Sequence, residues 1–171
     1  MPSDLQLTVR PARTQDVHAI RELVAPLAER RVLLQKEAVA FYEAIQEFVV
    51  AEDADGRLAG FGALHVMWQD IAEVRTLAVA DEFLGAGVGH RILTALLERA
   101  RAVGVARVFC LTFEVDFFAR HGFEVMADQS AVDPEVYAEL LRSTDEGVAE
   151  FLDLARVKPN TLGNTRMIRT L

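Results

Sequence analysis

Residues 71–80 read IAEVRTLAVA, and two charged side chains, Glu73 and Arg75, interrupt an otherwise apolar run. A carboxylate among apolar neighbours is costly unless it is paired or used. Burial raises its pKa toward neutrality, which suits a base acting directly or through a water. A guanidinium matches a carboxylate bidentately, so Arg75 suits an acidic substrate. The same two residues lie two apart on one strand face, where a plain salt bridge would also account for both.

A second stretch with chemical content is residues 83–93, FLGAGVGHRIL, in which Gly85, Gly87 and Gly89 alternate just before an apolar helical pattern. Glycine there costs backbone entropy and packs nothing, so it fits a place where the backbone itself must come close to something. Successive N–H groups from Gly85 to His90, together with the helix dipole, would cradle a pyrophosphate. A strand-to-helix turn with purely steric glycines is the plainer alternative. The G-x-x-x-x-G-K-[ST] pattern is absent, because His90 and Arg91 follow Gly89. A dinucleotide turn would want G-x-G-x-x-G early in a parallel sheet, whereas the strands before this loop look antiparallel.

The elements that must hold these residues follow from periodicity. LQLTVRPA alternates as a strand and stops at Pro11. Thr14 is placed to cap a helix carrying Val17, Ile20, Val24 and Leu27, and Pro26 should kink or end it. A second helix over about 37–47 carries Phe41, Ala44, Ile45 and Phe48 on one side. DADG joins two apolar runs as a hairpin, and residues 71–80 make a third strand of an antiparallel meander. After the glycines, Ile92, Leu93, Leu96, Leu97 and Ala100 form a helical stripe that Gly104 stops. VARVFCLTF is almost continuously apolar and reads as a central strand, followed by a short helix and strand in DFFARHGFEVM. DPEVYAELLRS starts like a helix, EGVAEFLDLARV reads as helix or loop, and NTRMIRTL is a final strand.

The chain has 171 residues, 51% of them apolar, enough for one domain with a substantial core. Its formal charge of −8 argues against a general nucleic-acid binder but leaves room for an anion held by local groups. The single cysteine, Cys110, forms no intrachain disulfide, which fits a reducing compartment. No signal peptide is read at the N-terminus, and no run of about 18 apolar residues predicts a membrane span. The four histidines are scattered, without metal-ligand spacing, so no metal is assigned. His65 and His121 read as structural or exposed, and Cys110 as core packing.

Meander, then LAVADEFLGAGVGHRIL, then the apolar strand, then FFARHGF: in this order and wording the chain resembles the GNAT acetyltransferases over roughly residues 7–127 and the terminal strand. Gly87 and Gly89 match the glycines of the family's [QR]-x-x-G-x-[GA] signature, with Leu84 at its first position. PLAERRVLLQKE, AEVRTLAVA, VFCLTFEVDFFARHGF and NTRMIRTL are further similar to the acetyltransferase domain of N-acetylglutamate synthases, in particular the short single-domain type. The resemblance implies an α/β (α+β) GNAT fold, a central mixed and mostly antiparallel sheet flanked by helices, in a single domain spanning 1–171.

It also implies acetyl-CoA as co-substrate, without a metal, and direct attack of an amine on the thioester. The pantetheine arm would lie along Leu77, Ala78 and Val79, and the pyrophosphate on Leu84, Gly85, Ala86, Gly87, Val88, Gly89 and His90. Phe118 stands near the cofactor, where many relatives carry a tyrosine acid, so that role has no owner there. Glu73 falls at the position of a family base. Thr112 aligns with a hydroxyl proposed to serve the leaving thiolate, although it could equally bond its own backbone. Gln35 and Lys36 align near a substrate clamp, Arg75 and Thr76 lie beside the base, and Asn164, Thr165 and Arg166 match a stretch that binds a substrate carboxylate.

The expectation is therefore a cytoplasmic amino-acid N-acetyltransferase acting on L-glutamate, with glutamine next, at the opening of arginine biosynthesis. Its partner is a small amino acid, with no nucleic acid and no membrane, and a homodimer is left open. The rivals are a protein N-terminal or lysine acetyltransferase, which would need an open peptide groove, and a non-catalytic acetyl-CoA-binding module. Residues 128–158 are expected to form a lid over the amino-acid pocket.

Overall fold

The computed structural model describes residues 5–30, 37–127, 132–154, 156–157 and 163–171. Its strands are β1 (Thr8–Pro11), β2 (Phe48–Glu52), β3 (Leu58–Trp68), β4 (Ile71–Val79), β5 (Arg107–Thr112), β6 (Glu124–Val125) and β7 (Thr165–Thr170). Its helices are α1 (Val17–Glu29), α2 (Ala38–Glu43), α3 (Val88–Val103), α4 (Val115–Arg120), α5 (Pro134–Leu140) and α6 (Glu146–Phe151). The strands form one seven-stranded sheet in the order β1-β2-β3-β4-β5-β7-β6. β1–β2, β2–β3, β5–β7 and β6–β7 are antiparallel and β4–β5 is parallel, the mixed, mostly antiparallel sheet that was expected. By contacts the chain divides into two compact units, residues 1–64 with 74–99, and residues 65–73 with 100–171.

The first unit is held by an apolar cluster of Val17, Ile20 and Val24 from α1, Phe41 from α2, Phe48 and Val50 from β2, Phe61 and Ala63 from β3, and Ala78 from β4. The stripe of α3 is fully buried at Ile92, Leu93, Leu96 and Ala100. α1 ends at Glu29, within one turn of Pro26, near where it was expected to stop, and the Pro26 carbonyl accepts from Arg30 N at 3.2 Å. Two local expectations are corrected here. Asp16, not Thr14, serves the entry to α1. Its carboxylate accepts from Arg13 N at 2.7 Å and from the Arg10 guanidinium at 2.8 and 3.0 Å. The helix expected over 37–47 stops at Glu43, and a single 3-10 turn, Ile45–Glu47, leads into β2. Phe48 is then the first strand residue, paired with Ala63, because the ladder with β3 outweighs the helical spacing.

In the second unit, β5 is an inner strand, paired with β4 through Phe109 and with β7 along its whole length. Its apolar reading was correct, and Val108, Phe109 and Cys110 are at most 1% exposed. Of the segment expected as a lid, the described residues contribute to the core. Leu140 of α5, and Val148 and Phe151 of α6, with Leu152, build the core with Ile71 and Phe109. Fully burying a phenylalanine such as Phe151 contributes roughly 1.5–3 kcal/mol, which commits this segment to the fold.

Candidate active site

In the first unit, a 3-10 turn at Asp81–Phe83 leads into the glycine loop and α3. Gly85 and Gly87 have φ of +79° and +76°, the left-handed region that favours glycine, with open space where a Cβ would stand. Gly89 is different: it lies in the first turn of α3. The amides of Leu84 and Ala86 are spent on Asp81 O at 3.2 Å and Phe83 O at 3.3 Å. Arg91 N donates to Gly87 O at 3.1 Å, so the amides of Val88 and Gly89 open the helix without an acceptor one turn earlier within it. An anion at this loop would therefore meet the amides of Gly85, Gly87, Val88 and Gly89. The loop is solvent-exposed from Leu84 through Gly87, whereas the Val88 side chain is buried, so Val88 can serve only through its backbone. The residues present fit a diphosphate.

β4 carries the next group. Ala78 is buried, Leu77 and Val79 are half-buried, and Arg75 is half-buried. Sequence reasoning missed the conformation of Thr76, which adopts φ of +54° inside the strand. For a β-branched residue this costs about 1–3 kcal/mol, and such strain collects at functional sites. Its Oγ1 is buried with no hydrogen-bond partner among the described residues. Threonine is a good strand former, so nothing in the sequence signals the kink.

In the second unit, Glu73 is 5% exposed, a buried carboxylate as expected. It is the register partner of Phe109, and Phe109 is the partner of Ile168. Partners in a ladder share a face, so Glu73, Phe109 and Ile168 lie on one side. Arg166, two residues before Ile168 on β7, lies on that same side, and its guanidinium carbon is 5.9 Å from the Phe109 ring centre. A carboxylate and a guanidinium thus stand two strands apart on one face, with an aromatic ring between them. Desolvation pushes the Arg166 pKa down, against a smaller opposing effect of Asp153. Asn164 and Thr165 are half-buried at the start of the same strand.

Thr112 is not brought to that face, because alternation along β5 turns it to the other side with Cys110. Its hydroxyl accepts from Glu114 N at 2.8 Å, the local backbone bond weighed as its alternative, and its own hydrogen remains to donate. Burial, and secondarily the charge of Glu73, pushes the Cys110 thiol far above its ordinary range, which keeps it protonated and unreactive. Phe118 is buried, edge-on to Phe123 at 5.1 Å. Gln35 and Lys36 lie outside the described residues. Among the described residues no group of three or more His, Cys, Asp or Glu could hold a metal, and no helix is long and apolar enough to cross a membrane.

Residues 17–123, the span from α1 through the glycine loop to the turn after α4, match the model of the acetyltransferase (GNAT) family. The chain belongs to the GNAT family. The amino-acid acetyltransferase of Mycobacterium tuberculosis is 52% identical over 172 residues, covering 99% of this chain and 98% of that protein. A crystal structure of a Mycobacterium tuberculosis protein in complex with CoA superposes with a TM-score of 0.91 at 53% identity, over 96% of this chain and 99% of that one. N-acetylglutamate synthase from Neisseria gonorrhoeae, complexed with coenzyme A and N-acetyl-glutamate, gives a TM-score of 0.77 at 25% identity, over 99% of this chain but 36% of that one. This GNAT protein is an N-acetyltransferase that uses acetyl-CoA.

Proposed function

We propose that the chain acetylates the α-amine of L-glutamate in the cytoplasm, at the entry to arginine biosynthesis, with L-glutamine as the neighbouring substrate. The observation that carries this reading is the shared face of Glu73, Phe109 and Arg166 on β4, β5 and β7. An amino acid needs a base for its ammonium and a cation for a carboxylate, and this face supplies both. The relative solved with coenzyme A and N-acetyl-glutamate supports the substrate class.

Acetyl-CoA supplies an activated acyl group and a thiolate that can leave. Glu73, buried on β4, takes the proton that makes the amine nucleophilic. Arg166 offers Nη1, a buried donor with no hydrogen-bond partner among the described residues, to a substrate carboxylate. Arg75 serves the second carboxylate of a dicarboxylic substrate, and Thr76 and Asn164 add polar contacts. Leu77, Ala78 and Val79 offer main-chain groups to the extended arm of the co-substrate. The loop amides of Gly85, Gly87, Val88 and Gly89 bind its diphosphate.

A panel of free amino acids with acetyl-CoA, scored by release of coenzyme A thiol, tests this reading. Turnover confined to glutamate and glutamine is expected. Turnover with other amino acids but neither of these two would overturn the substrate assignment and spare the family.

A further inference from the structure

We propose that Phe109 and the end of α6 form a seat that aims Arg166, so that Phe109 and Phe151 are positioning residues for the substrate carboxylate. The proposal rests on the reading of Arg166 as the carboxylate ligand. A guanidinium is a planar fork with five N–H donors. Here its Nε donates to Glu150 O at 2.9 Å, and its Nη2 donates to Phe151 O. Both carbonyls belong to the last turn of α6, whose C-terminal partial negative charge favours a cation. The guanidinium carbon lies over the Phe109 ring, 5.9 Å from its centre.

The ring is itself held. Phe109 meets the ring of Phe151 edge to face, with centroids 5.4 Å apart and planes at 78°, and both are fully buried. Two donors are therefore fixed with the ring beside them, and a planar group so held points Nη1 in one direction. In this way the segment 145–151 presents one nitrogen of Arg166, already stripped of water, to an incoming anion. Because Nε and Nη2 are committed, the contact to the substrate goes through Nη1 alone and is not the side-on bidentate fork.

The test compares Phe109→Leu, Phe151→Leu and Arg166→Lys in the full chain, with KM for L-glutamate, KM for acetyl-CoA and kcat measured for each. Phe109→Leu keeps an apolar filler and removes the ring face. We expect it to raise KM for glutamate about tenfold while kcat and KM for acetyl-CoA stay within about twofold. Phe151→Leu keeps the carbonyl and removes the ring edge, so a smaller rise of about threefold is expected. Arg166→Lys should raise KM for glutamate by more than about tenfold, since an ammonium cannot span both carbonyls and a ligand.

A large effect of Arg166→Lys with none from Phe109→Leu would overturn the seat and leave Arg166 as the ligand. No effect of Arg166→Lys on KM for glutamate would remove Arg166 from the site and the seat with it. Equal damage to both KM values and kcat by Phe109→Leu would mark a general structural role and also overturn the proposal. Should Phe109→Leu not fold, Phe109→Met is read by hydrogen exchange of the Arg166 Nε–H by NMR. Faster exchange supports the seat, and unchanged exchange overturns it.

Discussion

Gly60 on β3 runs so close to Ala78 on β4 that a Cβ added at position 60 would stand 2.7 Å from the Ala78 carbonyl oxygen. It would also stand 2.9 Å from Ile92 Cδ1 of α3. A side chain could turn away from such a clash, but the main-chain oxygen cannot move without displacing the strand proposed to pair with the co-substrate. Gly60→Ala is therefore expected to destabilise the fold by about 1–3 kcal/mol, measured as a lower urea midpoint.

At the glycine loop the expectation is reversed. Nothing lies within 4 Å of a Cβ built on Gly87, so Gly87→Ala meets no packing clash, only the backbone cost of φ +76°. That cost is about 1–2 kcal/mol. The added methyl points into the space an anion would use. Calorimetry should show CoA affinity reduced at least about tenfold, with a melting temperature only a few degrees lower. Unchanged affinity would move the diphosphate away from this loop.

Glu73→Gln is nearly isosteric and removes the proposed base. A positioned base contributes roughly 10²–10⁴-fold in rate, so kcat should fall by at least about a hundredfold while CoA affinity is kept. An unaltered kcat would leave Glu73 with a purely structural place on β4.

The cluster at the start of the chain predicts a pH response. Arg10 holds both Asp16 and Glu52, and its hydrogen bonds keep the Asp16 carboxyl below its ordinary range. A depressed folded-state pKa stabilises above the unfolded value of about 3.9, and that contribution fades as pH falls through the folded value. Asp16→Asn should thus cost about 1–2 kcal/mol at neutral pH, and urea melts of variant and parent should converge toward pH 2–3 (roughly the range of carboxylate protonation). A constant difference across that range would show that the pair contributes little.

Cys110 gives a labelling prediction. Its thiol is 1% exposed and raised well above the ordinary thiol range by burial first and Glu73 second. A thiol reagent at pH 8 should modify the chain only in denaturant, and fast native-state labelling would contradict the burial of β5.

What was legible in the sequence follows from range. The α3 stripe, the DADG hairpin, the glycine loop and the apolar β5 are local patterns with one physical solution, and each formed where expected. Phe48 was misplaced because its role comes from pairing with Ala63, which helical spacing cannot reveal. Thr14 is a good cap by type, but the carboxylate that is held at this entry is Asp16, through Arg13 N and the Arg10 guanidinium, a contact helical spacing does not reveal. At the site, Glu73 was conspicuous as a charge in an apolar strand. The partners of Arg166 were invisible, because both are main-chain carbonyls of a helix 15 and 16 residues away in sequence. Thr76 left no trace either, since its unusual backbone is imposed from outside the residue.

The core shared by Phe109, Phe151 and Ile71 bears on how this molecule can be recombined with its relatives. A chimera that imports residues 132–154 alone would bring a foreign ring against the native β5 and a foreign helix end against the native Arg166. Grafts should exchange β5, α6 and β7 as one block, and swaps cut inside that block should yield little folded protein.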